Sequence, residues 1–110
     1  MNIEQLLNEY RKYEDEYPQA KAHRVYLEEF KKSKLAMLMS QAEKRGHKTV
    51  SAQEREALAD QAYMDFVESL GVAVEREEKC RYHIKRLEME IEVWRTEQAN
   101  ERFERKTYGG

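Results

Sequence analysis

The sequence predicts an all-α protein, an elongated antiparallel helical hairpin or coiled coil with a short N-terminal helix. Charged residues make up 38% of the 110-residue chain, compared with about 25% in typical globular domains. Only four glycines and one proline are available for turns. Strong helix formers, above all alanine, leucine, glutamate, lysine and arginine, dominate the rest. We therefore expect a single helical domain over residues 1–110.

The N-terminal residues predict a helix over about 2–15. Apolar residues recur on one helix face, at spacings of four, three and seven: Ile3, Leu7, Tyr10 and Tyr17. Pro18 interrupts this series, because proline suits a first helical turn and disfavours helix in the residue before it. We expect a bend near Tyr17 and a new helix from Pro18. A kinked continuous helix is the alternative.

The second helix is predicted over about 18–45. One apolar stripe supports it: Ala22, Tyr26, Phe30, Met37 and Leu38. Gly46 is expected to cap its end, because glycine accepts the left-handed conformation that ends many helices. Lys44 and Arg45 precede it, where the helix dipole favours cations. The following stretch GHKTV, residues 46–50, is the predicted loop.

The third helix is predicted over about 51–105, with a frayed tail over 107–110. Ser51 and Glu54 fit a capping box at its start. Gly71 lies inside it and costs about 1 kcal/mol relative to alanine, yet we expect the helix to continue. Its last five seam residues alternate in steps of four and three, as in coiled coils: Cys80, Ile84, Leu87, Ile91 and Trp94.

That seam predicts self-association. The predicted third helix is so long that the chain's own helices leave much of its apolar seam uncovered. An exposed apolar stripe of this extent implies a partner. A dimer is the commonest solution. We therefore predict a homo-oligomer held by the five seam residues.

The net charge of −2 conceals opposite charges in neighbouring segments. Residues 19–48 carry eight basic and three acidic residues, and residues 49–79 carry three basic and eight acidic ones. The basic helix either pairs with the acidic helix or contacts phosphates, and its aromatic residues would then stack on bases. The candidate contacts for nucleic acid or a protein partner are Lys21, Arg24, Lys31, Lys32, Lys34, Arg95 and Arg102.

Nothing in the sequence predicts catalysis or metal binding. Cys80 and His83 are three residues apart on one helix face, but a structural zinc site needs four ligands and only His23 and His47 are further histidines. A catalytic cysteine–histidine pair needs a concave site and an orienting third group. The glutamates and arginines of the C-terminal helix fit ion pairs on a solvated face. We expect no catalytic residue, metal, cofactor or small-molecule substrate.

Composition also predicts a cytoplasmic protein. The single cysteine excludes an internal disulfide. No apolar run approaches the roughly 20 residues that a membrane-crossing helix needs. The N-terminal residues lack the basic and apolar regions of a signal peptide. We expect no contact with a membrane.

The most distinctive string is EVWRTEQANERFERK, residues 92–106. It resembles the C-terminal helix of small proteins that tailed bacteriophages and prophages encode near replication and recombination genes. That helix carries a Trp-Arg-Ser/Thr pattern followed by alanine and arginine, matched by Trp94, Arg95, Thr96, Ala99 and Arg102. An upstream pattern is matched by Glu54, Arg55, Ala57 or Ala59, and Tyr63. The resemblance covers roughly the C-terminal half and implies a bacterial host cell as the setting, without a mechanism.

These observations predict a non-enzymatic phage accessory protein that binds other proteins through its helices. Its role would lie in DNA replication or recombination, or in interference with a host nuclease. Two alternatives stay open. One is a nucleic-acid-binding protein that uses the basic helix 21–48. The other is an inhibitor of a bacterial defence complex, of the anti-CRISPR or anti-restriction type, that mimics DNA with the acids of residues 54–78 or plugs a cleft.

Overall fold

The computed structural model describes residues 2–108, which form three helices and no strand. They are α1 (Ile3–Lys44), α2 (Val50–Leu58) and α3 (Gln61–Tyr108). The prediction of an all-α protein is confirmed. None of these helices is long and apolar enough to cross a membrane.

The contacts between residues group into two compact units. Unit 1 joins the chain up to Pro18 with the chain from Glu78 onward, and unit 2 is Gln19–Glu77. In each unit a segment of α1 packs antiparallel to a segment of α3, so the predicted hairpin arrangement is confirmed there. The description as a single domain stays a prediction.

Helix α1 is unbroken through Pro18. The predicted bend and separate helices 2–15 and 18–45 are therefore wrong, and the continuous alternative is right. A proline inside a helix costs about 3 kcal/mol, so packing must offset it. Leu6 is buried in unit 1 and Ala20 is buried in unit 2, and burial of both stretches favours helix on either side of the proline.

Gly46 ends α1 as predicted. Its φ of 107° is the left-handed conformation that glycine adopts without steric strain. The backbone N–H of His47 donates to the carbonyl of Ala42 at 3.2 Å, and that of Gly46 donates to the carbonyl of Glu43 at 3.0 Å. This pair of hydrogen bonds is the Schellman motif.

The predicted single helix over 51–105 is wrong, because the helix is interrupted between Leu58 and Gln61. Asp60 explains the restart: its side-chain carboxylate accepts a hydrogen bond from the backbone N–H of Ala62 at 2.8 Å, as an N-cap residue does. The short α2 that results packs Ala57 into the core of unit 2.

The start of α2 also differs from the predicted capping box at Ser51 and Glu54. Thr49 is the N-cap, and its hydroxyl accepts from the backbone N–H of Ala52 at 3.1 Å. Threonine caps a helix in the same way as serine, so the helix begins with Val50, before the predicted start.

Helix α3 continues through Gly71, as predicted. A Cβ atom built on Gly71 would meet nothing within 4 Å, so close packing does not require a glycine there. At the predicted frayed tail, Thr107 and Tyr108 are helical. Gly109 and Gly110 lie outside the described residues.

Candidate interaction surface

The predicted self-association seam lies against the chain's own α1. Leu87 is 0% exposed and Cys80 is 4% exposed in the single chain. Ile84, Ile91 and Trp94 are half-buried. The assignment of Cys80 and Leu87 to an intermolecular seam is therefore wrong. Residues 3–18 belong to the unbroken α1 and cover α3 within unit 1; self-association itself stays a prediction.

The contacts across unit 1 fix the register of α1 against α3. The rings of Tyr13 and His83 stack with centroids 4.5 Å apart and planes 14° apart. The Tyr10 hydroxyl donates to a carboxylate oxygen of Glu88 at 3.2 Å. That hydrogen bond, together with burial and the nearby negative charge, raises the pKa of Tyr10 above its ordinary value.

Cys80 and His83, the two candidate metal ligands of the sequence, contact different partners in unit 1. The thiol of Cys80 lies 3.9 Å from a carboxylate oxygen of Glu16, whereas His83 stacks on Tyr13. Within residues 2–108 no group of three or more histidine, cysteine or acidic side chains is placed to hold a metal ion.

The opposite face of α3 in unit 1 carries four large exposed apolar side chains, interspersed with polar residues such as Lys85. Tyr82 is 79% exposed, Met89 is 69% exposed, Val93 is 57% exposed and Phe103 is 67% exposed. At about 100° per residue these four side chains fall within roughly 80° of one another. We call them the outer stripe. They are offset by two residues from seam residues such as Leu87 and Ile91, so they lie on the far side of the helix.

The outer stripe was not predicted from the sequence, because the regular spacing of Cys80 to Trp94 indicates one apolar face of α3 more strongly than the stripe indicates a second. The feature that could have revealed it is a second seven-residue repeat, Tyr82, Met89, Thr96 and Phe103. A helix with apolar residues on two opposite faces has one face more than a two-helix hairpin can bury. The outer stripe is therefore a candidate interaction surface.

A groove borders the outer stripe on one side of unit 1. Its apolar walls are Leu6 of α1 and Met89, Val93 and Trp94 of α3. Its polar residues are Arg86, Glu90 and Glu97. We call this the Leu6 groove. It brings the lone tryptophan of the chain to the surface beside the outer stripe.

Beyond the Leu6 groove, α3 extends past the N-terminal end of α1. Residues 99–108 are all exposed. This C-terminal arm carries Phe103 and Tyr108, two large side chains in solvent. Arg102 lies on the arm. Arg95, about two turns before Arg102, is paired with Glu92 at 2.6 Å. Both arginines are exposed, and their assignment as contacts for nucleic acid or a partner stays a prediction.

The predicted basic contacts of α1 are not brought together. Lys21, Lys31 and Lys32 are exposed and Lys34 is half-buried. None of these four forms an ion pair with any residue in the described part of the chain. At about 100° per residue, Lys21, Lys31 and Lys32 fall within roughly 100° of one another on α1. Lys21 lies ten residues, about 15 Å along the helix axis, from Lys31, so the lysines are separated along the helix.

Arg24 is already engaged inside unit 2. Its Nη2 atom donates to one carboxylate oxygen of Glu77 at 3.0 Å, and its Nε atom donates to the other. Its Nη1 atom donates to Glu28 at 2.9 Å. The hydrogen bonds to Glu77 and then to Glu28 raise the pKa of Arg24 above its ordinary value. Arg24 is therefore engaged in ion pairs within unit 2, and its assignment as a contact for nucleic acid or a partner stays a prediction.

Comparison with known proteins adds no relative. No protein-family model, curated protein or solved structure matches the chain. Its function must be inferred from its own surfaces.

Proposed function

We propose that the chain is a non-enzymatic accessory protein that binds other proteins through the outer face and C-terminal arm of α3. The observation that carries this proposal is the outer stripe. Four large side chains, Tyr82, Met89, Val93 and Phe103, stay exposed although the same helix already buries its opposite face in unit 1. Apolar residues spaced along one helix face are the means by which helices dock into partner grooves or coiled coils.

The proposed setting is a bacteriophage or prophage in a bacterial cell, with a role in DNA replication or recombination or against a host nuclease. The resemblance of residues 92–106 supports this setting. Arg95, Ala99 and Arg102 of the matched pattern are exposed and share one side of α3 at spacings of four and three. Their place on the surface suits a pattern that contacts a partner. Inhibition of a bacterial defence complex is one form that such binding could take.

Direct nucleic-acid binding is the second candidate function. It is favoured by the exposed lysines Lys21, Lys31 and Lys32, which form no ion pair within residues 2–108. The rings of Tyr26 and Phe30 lie parallel, 6.0 Å apart, and Tyr26 is exposed. Exposed aromatic rings near lysines suit the stacking of single-stranded bases. Lys21 lies about 15 Å along α1 from Lys31, and this separation of the positive charges places the candidate second.

Capture of binding partners from phage-infected bacterial cells tests the first proposal. In the stripe variant, Tyr82, Met89, Val93 and Phe103 are replaced by glutamine, which keeps good helix propensity. In the matched control, Met64, Val67 and Val72, which are exposed on α3 within unit 2, are replaced by glutamine. We expect the control to retain the partners of the native chain and the stripe variant to lose them. Full retention by a stripe variant with unchanged circular dichroism contradicts the proposal.

A further inference from the structure

The Leu6 groove offers an apolar pocket at the edge of the outer stripe. Leu6 is buried and Trp94 is half-buried, so both form its inner part, whereas Met89 and Val93 are exposed at its rim. An apolar side chain seated there would cover the exposed surface of Trp94, Met89 and Val93. Burial of apolar area in such a pocket is the main source of affinity in helix-in-groove complexes.

The rim of the Leu6 groove is acidic. Glu90 and Glu97 line it, are exposed, and form no ion pair with another described residue. Glu101 and Glu104 extend the acidic side along the C-terminal arm. Arg86 supplies one positive charge to the groove, which leaves the acidic residues in excess.

The other side of the outer stripe differs in this respect. There Glu92 is paired with Arg95 at 2.6 Å, and Glu88 accepts the hydrogen bond of Tyr10. Among residues 82–104, the carboxylates without an ion pair on the side of the Leu6 groove are Glu90, Glu97, Glu101 and Glu104, and the one on the other side is Glu88.

We propose that the Leu6 groove binds a basic amphipathic helix of a partner protein. This inference rests on the proposed function and adds the class of partner. One apolar residue of that helix packs between Leu6 and Trp94. Glu90 and Glu97 lie two helical turns apart, about 10.5 Å along the axis. The partner helix therefore carries lysine or arginine at positions seven residues apart, beside its apolar face.

A second copy of the chain fits this surface less well. If two outer stripes pair in parallel register, Glu92 of one copy lies beside Glu97 of the other. If they pair antiparallel, with Met89 of one copy beside Val93 of the other, Glu90 faces Glu90 and Glu92 faces Glu92. Either arrangement brings like charges together at an apolar seam, whereas a basic helix meets them with opposite charge.

Fluorescence of Trp94, the single tryptophan, tests the proposal with synthetic helices that contain no aromatic residue. The basic probe carries leucines on one face and lysines seven residues apart beside them. The acidic probe is the same peptide with glutamate in place of lysine. We expect the basic probe to blue-shift the Trp94 emission and the acidic probe to leave it unchanged. No shift with the basic probe up to about 1 mM, or equal shifts with both probes, overturns the proposal.

Charge-reversal variants locate the binding site. We expect the double change Glu90→Lys and Glu97→Lys to weaken binding of the basic probe about tenfold. In the matched control, Glu54 and Glu68 of unit 2 are changed to lysine, which alters the net charge equally and should leave binding intact. Equal weakening in both variants overturns the proposal. So does light scattering that shows the free chain self-associating through the groove, with the dimer lost in the Glu90→Lys, Glu97→Lys variant.

The two proposals can fail separately. If the stripe variant loses its cellular partners while the Glu90→Lys, Glu97→Lys variant keeps them at native affinity, protein binding by α3 stands. The basic-helix inference is then overturned. If the stripe variant keeps its partners, the proposed function itself is contradicted.

Discussion

Arg24 and Glu77 form a bidentate ion pair that joins α1 to α3 in unit 2. Glu77 is buried, and Arg24 also donates to Glu28 on its own helix. Four of the five buried apolar residues described for unit 2 are alanines: Ala20, Leu38, Ala42, Ala57 and Ala73. The ion pair adds a polar contact between α1 and α3 to this small core.

The first prediction concerns that pair. Arg24→Ala leaves the buried Glu77 carboxylate without its two guanidinium donors, so we expect a lower melting temperature by circular dichroism. Arg24→Lys keeps the positive charge but not the bidentate geometry, so its melting temperature should fall between those of the native chain and Arg24→Ala. Equal melting temperatures for all three proteins would mean that the pair has no structural role.

A second prediction follows from Gly71. A Cβ atom there meets nothing within 4 Å, and alanine is favoured over glycine inside a helix by about 1 kcal/mol. We expect Gly71→Ala to raise the free energy of unfolding by about this amount in urea denaturation. Gly46 is the matched control: its φ of 107° is strained for alanine, so Gly46→Ala should lower stability. A loss of stability in Gly71→Ala would show a contact at that position that the structure lacks.

The third prediction compares a buried and an exposed face of α3. Leu87 is fully buried, and its replacement by alanine should cost about 2–5 kcal/mol. Val93 on the outer stripe is exposed, and Val93→Ala should change the free energy of unfolding by less than about 0.5 kcal/mol. Denaturant unfolding of both variants gives the comparison. Similar costs at the two positions would mean that the outer stripe is also part of a folded core.

The lysines of α1 make the fourth prediction. Lys31, Lys32 and Lys34 form no ion pair with the described residues, so we expect their joint replacement by glutamine to leave the melting temperature nearly unchanged at low salt. The same variant tests the second candidate function. If the native chain binds single-stranded DNA with a steep salt dependence, the triple variant should lose that binding. A marked drop in melting temperature would instead support pairing between the basic and acidic helices.

Local patterns predicted the helical class and several details well. The spacing of Cys80 to Trp94 identifies a buried face, and Gly46 ends α1 because its left-handed conformation depends mainly on the residue itself. Pro18 was misleading because its local cost is outweighed by packing on both sides, which only the fold reveals. The N-cap at Asp60 was not predicted, because the continuous apolar periodicity around it favoured one long helix.

The candidate site was harder to predict, because a seam does not reveal which helix covers it. Cys80 and Leu87 have the spacing expected of a dimer seam, but residues 3–18 of the same chain cover them. The outer stripe is recognisable as a separate surface only when the structure shows that α1 covers the opposite face of α3. Likewise, the sequence does not reveal that Arg24 pairs with Glu77, because the two residues are far apart in the chain.

The central claim is that partner proteins bind the outer stripe of α3, and calorimetric titration of a purified partner, obtained by the capture experiment, tests it most directly. We expect the Tyr82, Met89, Val93 and Phe103 glutamine variant to bind about 100-fold more weakly than the native chain, or worse, because a few buried apolar anchors dominate such interfaces. The Met64, Val67 and Val72 glutamine control should bind like the native chain. An affinity of the stripe variant within about twofold of native would contradict the claim.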